Sequence, residues 1–268
     1  MPDIIWNYGG GTQSIGMWVL IEQGRLPMPE VIIMADTGRE ASEVWEYHEQ
    51  HIAPRMATMG CELIVIPHDW AIYDIVDSKG KILLPVYTND GEGRMPSFCS
   101  ANWKRDVVQK FLTKEMGYGP KNPIIQWLGY SLDEKYRLKK KARRKWITLD
   151  YPLLAFPNKT VEDTRYHVRL RRNEVINLVQ EAGLPEPPRS ACWMCPQRSN
   201  LEWKHLKDQN DGDWEKAIAM DEELRQYDIA QGRDPVYLHR SYKPLSEADL
   251  EAVVTPDLFD CDQTACFC

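Results

Sequence analysis

Three short apolar runs most constrain this chain: Ile4-Ile5-Trp6, Val31-Ile32-Ile33-Met34 and Leu63-Ile64-Val65-Ile66. Each is bounded by a longer stretch with apolar residues at helical spacing. Between the first two runs, Ile15, Met17, Trp18, Leu20 and Ile21 form such a stretch, which Gly24 ends with Pro27 and Pro29 beyond. Between the second and third, Val44, Tyr47, His51 and Ile52 form another, and Thr37-x-x-Glu40 predicts a capping box at its start. Runs that are apolar throughout, rather than alternating, suit strands covered on both faces. Strand and helix in alternation therefore predict a three-layer α/β/α domain with a mainly parallel sheet.

Farther along, Ile124-Ile125-Gln126-Trp127-Leu128 predicts another strand, and residues 103–116 and 173–182 predict helices. Residues 78–98, with Gly80, Gly91, Gly93, Pro85 and Pro96, predict a hairpin or long loop. Past Leu184-Pro185-Glu186-Pro187-Pro188 the pattern turns helical and ends in a cysteine-rich tail. The expected division is an α/β domain over 1–183 and a helical, cysteine-rich portion over 184–268.

Composition excludes several classes. Apolar residues are 43% and charged residues 27% of 268, enough to build a core, which argues against a disordered chain. A net charge of -7 rules out a wholesale basic coat for nucleic acid but leaves room for a local basic patch. No apolar run approaches the ~18–20 residues of a membrane span. The opening Met-Pro-Asp-Ile-Ile-Trp has no basic or apolar leader, so a cytoplasmic protein is expected, with no membrane partner. Seven cysteines, an odd number, do not suit a disulfide framework there.

The turn after the first strand is Tyr8-Gly9-Gly10-Gly11-Thr12-Gln13-Ser14. Glycines allow positive φ and close backbone approach, and free N–H groups with the helix dipole then face an anion. The pattern is neither the Walker-type G-x-x-x-x-G-K-S/T nor the spaced dinucleotide fingerprint. It reads as a phosphate-binding loop or as a tight strand-to-helix turn. Late in the chain, Cys192-Trp193-Met194-Cys195-Pro196 has the spacing by which two thiolates hold a metal ion or cluster. The same spacing also serves a redox pair, or two inert thiols.

The glycine loop resembles the S-G-G-x-D-S signature of the PP-loop (adenine nucleotide alpha-hydrolase) superfamily. Gly9 stands at the first serine, Gly10 and Gly11 at the glycines, Gln13 at the acidic position and Ser14 at the last serine. Ala35-Asp36-Thr37-Gly38 is similar to the Asp-Thr-Gly of phosphoadenosine phosphosulfate (PAPS) reductases. Trp127-Leu128-Gly129-Tyr130 with Asp133, Glu134 and Arg137 is similar to another of their segments, and Tyr166-His167-Val168-Arg169 to Val175 resembles a third. The likeness runs over about residues 1–200 and points to the cysteine-rich branch that includes DNA phosphorothioation sulfurtransferases and phage-borne members.

That resemblance implies a PP-loop, HUP-like fold and an adenine-nucleotide-binding enzyme of sulfur transfer or nucleic-acid modification. ATP-dependent adenylation is its first reading and PAPS reduction its second, with magnesium as an accompanying ion. It implies nucleotide contacts from Gly9, Gly10, Gly11, Thr12, Gln13, Ser14, Asp36, Thr37, Gly38 and Gly129. Catalytic or charge-neutralising roles fall to Gln13, Asp36, Lys104 and Arg137. Cys99, before Ser100-Ala101-Asn102-Trp103-Lys104, is similar to a [4Fe-4S] ligand of the relatives. With Cys192 and Cys195 it makes a trio, and Cys261 or Cys266 supplies the fourth ligand; Cys268 and Cys61 are expected to be bystanders. Four thiolates suit zinc as well as a cubane. The implied partners are the nucleotide, a nucleic acid (tRNA or DNA) or a sulfur-donor protein, and a homodimer is left open. A zinc-stabilised binding module without turnover is the contrasting reading.

The run Lys135, Arg137, Lys139, Lys140, Lys141, Arg143, Arg144 and Lys145 is read either as a solvated helix face or as a clamp for phosphates. Arg165, Arg169, Arg171, Arg172, Arg189 and Arg198 add to that supply of charge.

Overall fold

The computed structural model describes residues 2–89, 93–139, 142–154 and 168–252. Strands β1 (Asp3–Asn7), β2 (Val31–Ala35), β3 (Leu63–Ile66), β6 (Ile124–Leu128) and β7 (Ile147–Asp150) form a parallel sheet in the order β3-β2-β1-β6-β7. The register runs Ile5↔Val31 and Trp6↔Trp127 across the central strand. The chain builds outward from β1 on one side, then returns to build on the other. The strand order therefore reverses between β1 and β6, and such a switch point leaves a crevice at the carboxyl ends.

Helices cover both faces. α1 (Thr12–Glu22), α3 (Ala53–Thr58) and α5 (Arg172–Glu181) share one core, in which Ile15, Trp18, Met56 and Val175 are buried against Trp6 and Met34. α4 (Asp106–Lys114) lays Val107, Val108 and Leu112 on the other face, against Ile5 and Ile33. This is the α/β/α sandwich that the apolar runs predict. Gly16 sets the spacing of one helix pair, since a Cβ there would stand 2.3 Å from Val175 Cγ1 of α5.

Local chemistry redirects several expected elements. The Thr37-x-x-Glu40 capping box does not form. α2 (Ser42–Tyr47) starts four residues later than that box would start it, with Ala41 at its cap, and a distant side chain does the capping: Asp213 accepts Ser42 N at 2.7 Å and Ser42 Oγ at 3.1 Å. α2 continues through a π-helical stretch, His48–Ile52, into α3. Pro54 has no N–H to donate to the turn before it, which accounts for the widened winding there. The basic run is not a helix face: after a 3-10 segment, Leu132–Arg137, its described part is irregular up to β7.

A third core joins the rest. β4 (Tyr87–Thr88) pairs with β5 (Gly93–Arg94) and with β8 (Val236–Tyr237) in a small antiparallel sheet. Around it pack Trp103, Met194, α6 (Asn200–Gln209) and α7 (Asp213–Ala230), with Trp203, Leu206 and Leu224 buried. Elements from both expected portions are thus stitched together, and the cysteine segment runs between them. Ala41 N donates to Ala191 O at 3.2 Å and Trp193 N to Arg39 O at 2.9 Å.

Candidate functional site

A cavity of about 360 Å³ opens at the carboxyl ends of the central strands. Its floor is Gly9, Gly11, Gln13 and Ser14 after β1 and Gly129 after β6; Thr37 follows β2. These are the two sides of the switch point, so the topology itself places the cavity.

The glycine loop is shaped by what touches it. Gly10 takes φ +72, and a Cβ there would meet Val44 Cγ1 at 2.5 Å. Gly11 lies against the cysteine segment, where a Cβ would meet Ser190 N at 2.5 Å. Thr12 N–H goes to Pro188 O at 3.0 Å and Ile15 N–H to Gly11 O at 3.0 Å. The Gln13 and Ser14 amides, in the first turn of α1, have no intrahelical acceptor. Ser14 Oγ turns back to accept Gly9 N–H at 2.9 Å. The loop is therefore tied down by bonds to Pro188 and Ser14 and by close contact with Val44 and Ser190, and its first-turn residues Gln13 and Ser14 line a cavity that an anion can enter.

Gln13 does not act alone. Its Nε2 donates to Glu134 Oε2 at 2.7 Å, and Glu134 Oε1 pairs with Arg137. Arg137 also lies over the Tyr130 ring, 4.7 Å from its centre. The position where the PP-loop signature carries an acid is an amide here, with a carboxylate, Glu134, directly behind it. Lys104 lines the cavity with its ammonium 3.3 Å from Glu40 Oε2.

Three cysteines line the same cavity: Cys99, Cys192 and Cys195. Cys195 N donates to Cys192 O at 3.0 Å, closing the C-x-x-C turn. Thr37 Oγ1 stands 3.5 Å from Cys192 Sγ, and Ser97 Oγ 3.5 Å from Cys99 Sγ. Burial pushes the Cys99 thiol up; it pushes Cys192 up strongly, the nearby Glu40 carboxylate adding to the shift. Both are held as neutral thiols until something positive replaces their protons. Among the described residues, no three His, Cys, Asp or Glu side chains stand close enough to hold a single metal ion. By donor type, three soft sulfurs lining one cavity with the Lys104 cation suit an iron–sulfur cluster, whereas a single zinc ion would need ligands from outside the described residues.

Other expected site residues fall elsewhere. Asp36 and Gly38 do not line the cavity; Asp36 Oδ1 accepts Gly38 N–H at 2.7 Å in a local turn. Gly10 and Thr12 support the loop from behind. Arg198 is buried under the cysteine turn rather than offered to the cavity. Cys61 packs at the edge of the first core, its thiol bonded to Met56 O at 3.3 Å. Cys261, Cys266 and Cys268 lie outside the described residues, as do Lys140, Lys141, Gly91, Arg165, Tyr166 and His167. The cavity also gathers residues the sequence does not flag for it, Arg94 and Arg240 among them; Trp103 lines it too, Arg189 of the expected charge supply pairs there with Glu202, and Glu40, expected as part of a cap, instead pairs with Lys104. Burial raises Glu202, but Arg189 and the Ser199 amide outweigh that and hold it below the usual carboxylate range.

Among the described residues no helix is long and apolar enough to cross a membrane. No protein-family profile matches the chain, and no curated protein matches it. Among solved structures, the U34-tRNA thiolase NcsA from Methanococcus maripaludis, with its [4Fe-4S] cluster, is similar at 12% identity. The match spans 86% of this chain and 72% of that one, with a TM-score of 0.45. A likeness of that size assigns neither family nor function, so the functional reading rests on the cavity.

Proposed function

We propose that this chain is a PP-loop-type enzyme of sulfur transfer or nucleic-acid modification. It would bind ATP across the glycine loop and activate its acceptor by adenylation. The observation that carries this reading is the convergence of the glycine loop, three cysteines and an excess of cations on one cavity. The loop amides and Arg172, whose Nη2 is 3.5 Å from Thr12 Oγ1, would hold the phosphates. Lys104 and Arg137 would neutralise charge as an acceptor oxygen attacks the α-phosphorus and pyrophosphate leaves. Gln13, tied to Glu134, would orient the phosphate chain and carry any magnesium only through that neighbouring carboxylate.

Cys99, Cys192 and Cys195 would hold a [4Fe-4S] cluster, with Cys261 or Cys266 as the fourth ligand. When bound, that group supplies an electron or a sulfur-binding iron. The described chain ends near the site: Asn200 Nδ2 of α6 bonds Asp249 O and Ala252 O, and the α6 cap Ser199 lines the cavity. The partner beyond the nucleotide would be a nucleic acid, tRNA or DNA, or a sulfur-donor protein.

One observation favours PAPS as the alternative nucleotide. Among the described residues, neither Arg94 nor Arg172 pairs its guanidinium with a carboxylate, which suits a ligand with phosphate at both ends. Isothermal titration of anaerobically prepared, metal-analysed protein against ATP, AMP and PAPS tests both versions. ATP tightest, with iron, inorganic sulfide and broad absorbance near ~400 nm, is the expected result. PAPS tightest turns the reading to the reductase. A colourless protein holding one zinc and hydrolysing nothing leaves a binding module and overturns it.

A further inference from the structure

Arg198 carries a buried positive charge that no carboxylate answers. It is 2% exposed and lies three residues past Cys195, whose carbonyl accepts its amide at 3.2 Å. Its guanidinium turns back beneath the cysteine turn. Nε donates to Cys192 O at 3.3 Å, and Nη2 donates to Cys192 O at 3.2 Å and to Ala191 O at 3.3 Å. The Trp203 ring closes the far side, 5.8 Å from Cζ. Among the described residues Arg198 makes no ion pair.

Its neighbours are different. Lys104 is answered by Glu40, Arg137 by Glu134 and Arg189 by Glu202. A guanidinium stays charged at any accessible pH, and carbonyl dipoles repay only part of what its removal from water costs. A full negative charge is what such a cation calls for, and the loop it grips carries two thiols that can supply one.

We propose that Arg198 is the counter-charge for Cys192 and Cys195 in their metal-bound form, a positioning residue that favours the loaded loop over the empty one. This rests on the reading of those cysteines as metal or cluster ligands. On loading, their thiol protons leave for solvent, and the sulfur charge stays in the desolvated loop whose Ala191 and Cys192 carbonyls the guanidinium holds. Empty, the loop leaves Arg198 uncompensated.

The test uses the full, reduced chain titrated anaerobically with Co²⁺ alone, read by thiolate-to-cobalt absorption and by melting of the metal-free protein. Two variants separate charge from shape: Arg198→Met removes the charge, and Arg198→Lys keeps it without the planar fork. The expected result is Co²⁺ affinity about 10–100-fold weaker in R198M and within a few-fold of wild type in R198K. The melting temperature of metal-free R198M should not fall below that of R198K. Equal affinity in R198M and wild type overturns the proposal, and so do equal losses in both variants, because the carbonyl bonds then matter and the charge does not. A wild-type chain with no thiolate–cobalt band overturns both this proposal and the cluster reading beneath it.

Discussion

The Glu40 carboxylate, with no exposed side-chain surface, stands 3.3 Å from the Lys104 ammonium. The same group accepts Ser190 Oγ at 2.8 Å, and its backbone bridges Cys192. One acid thus ties the stretch after β2, the π-helical turn Ser100–Arg105 that carries Lys104, and the cysteine segment. Removing one partner of a buried pair strands the other. Glu40→Ala is expected to cost about 3–5 kcal/mol in urea unfolding. Glu40→Gln, which still accepts from Ser190, is expected to cost less. Equal losses in the two variants would contradict the charge-pair account.

Two of the close-packed glycines of the first βα unit, Gly11 and Gly16, separate site from scaffold. Gly11→Ala drives a methyl toward the backbone of Ser190, so the cysteine segment must move. Gly16→Ala drives one toward Val175 Cγ1, so α1 and α5 must part. Both should lose about 1–3 kcal/mol of stability by overpacking. Only Gly11→Ala should also lose nucleotide affinity. Calorimetric titration of both variants checks this.

Two buried histidines give the fold an acid limit. Burial lowers the pKa of His48, whose Nδ1 is 3.1 Å from Tyr8 Oη. It also lowers His239, with Arg240 adding to the shift; His239 Nε2 is 3.0 Å from Asn200 Oδ1. Each folded pKa lies below the unfolded value of 6.5. Their contribution is therefore full above 6.5 and is lost as pH falls through the folded values. Stability measured by chemical unfolding should decline below about pH 6.5. His239→Gln should flatten that decline.

Gln13→Glu would set a second carboxylate against Glu134 Oε2, where the amide now donates at 2.7 Å. Like charges at that distance raise one folded carboxyl pKa, so the variant's stability relative to wild type should be greatest at low pH. It should fall between about pH 4 and 7 as that group ionises. A pH series of paired melts gives the answer; a gap that does not change with pH would show that the two side chains do not face each other in solution.

β2, buried along its whole length, is legible because Val31, Ile32, Ile33 and Met34 leave it no polar edge; Leu63-Ile64-Val65-Ile66 is as apolar, yet as the edge strand β3 it leaves Val65 exposed. β7 is not legible: Ile147-Thr148-Leu149-Asp150 is short, alternates and abuts the basic run. Its place is fixed by register against β6 and by the Trp127 Nε1 bond to Asp150 Oδ2 at 3.0 Å, neither of which is local. The glycine loop and the C-x-x-C turn are equally legible, since their spacing along the chain is their chemistry. Glu40 is hidden because three residues past Thr37 it looks like a cap, and only tertiary packing turns it toward Lys104. Arg94 and Arg240 carry no local signal, since they reach the cavity through the pairing of β4 with β5 and β8.

The central claim is that nucleotide and thiols share one cavity. Alkylation of the metal-free, reduced protein with iodoacetamide, with and without saturating ATP, tests it at single-residue resolution by mass spectrometry. Cys61, packed beneath the opposite end of the sheet, is the internal control. The account predicts that ATP slows labelling of Cys99 and Cys195 and leaves Cys61 unchanged. ATP bound at saturation with Cys99 and Cys195 labelled at their free rates would contradict it.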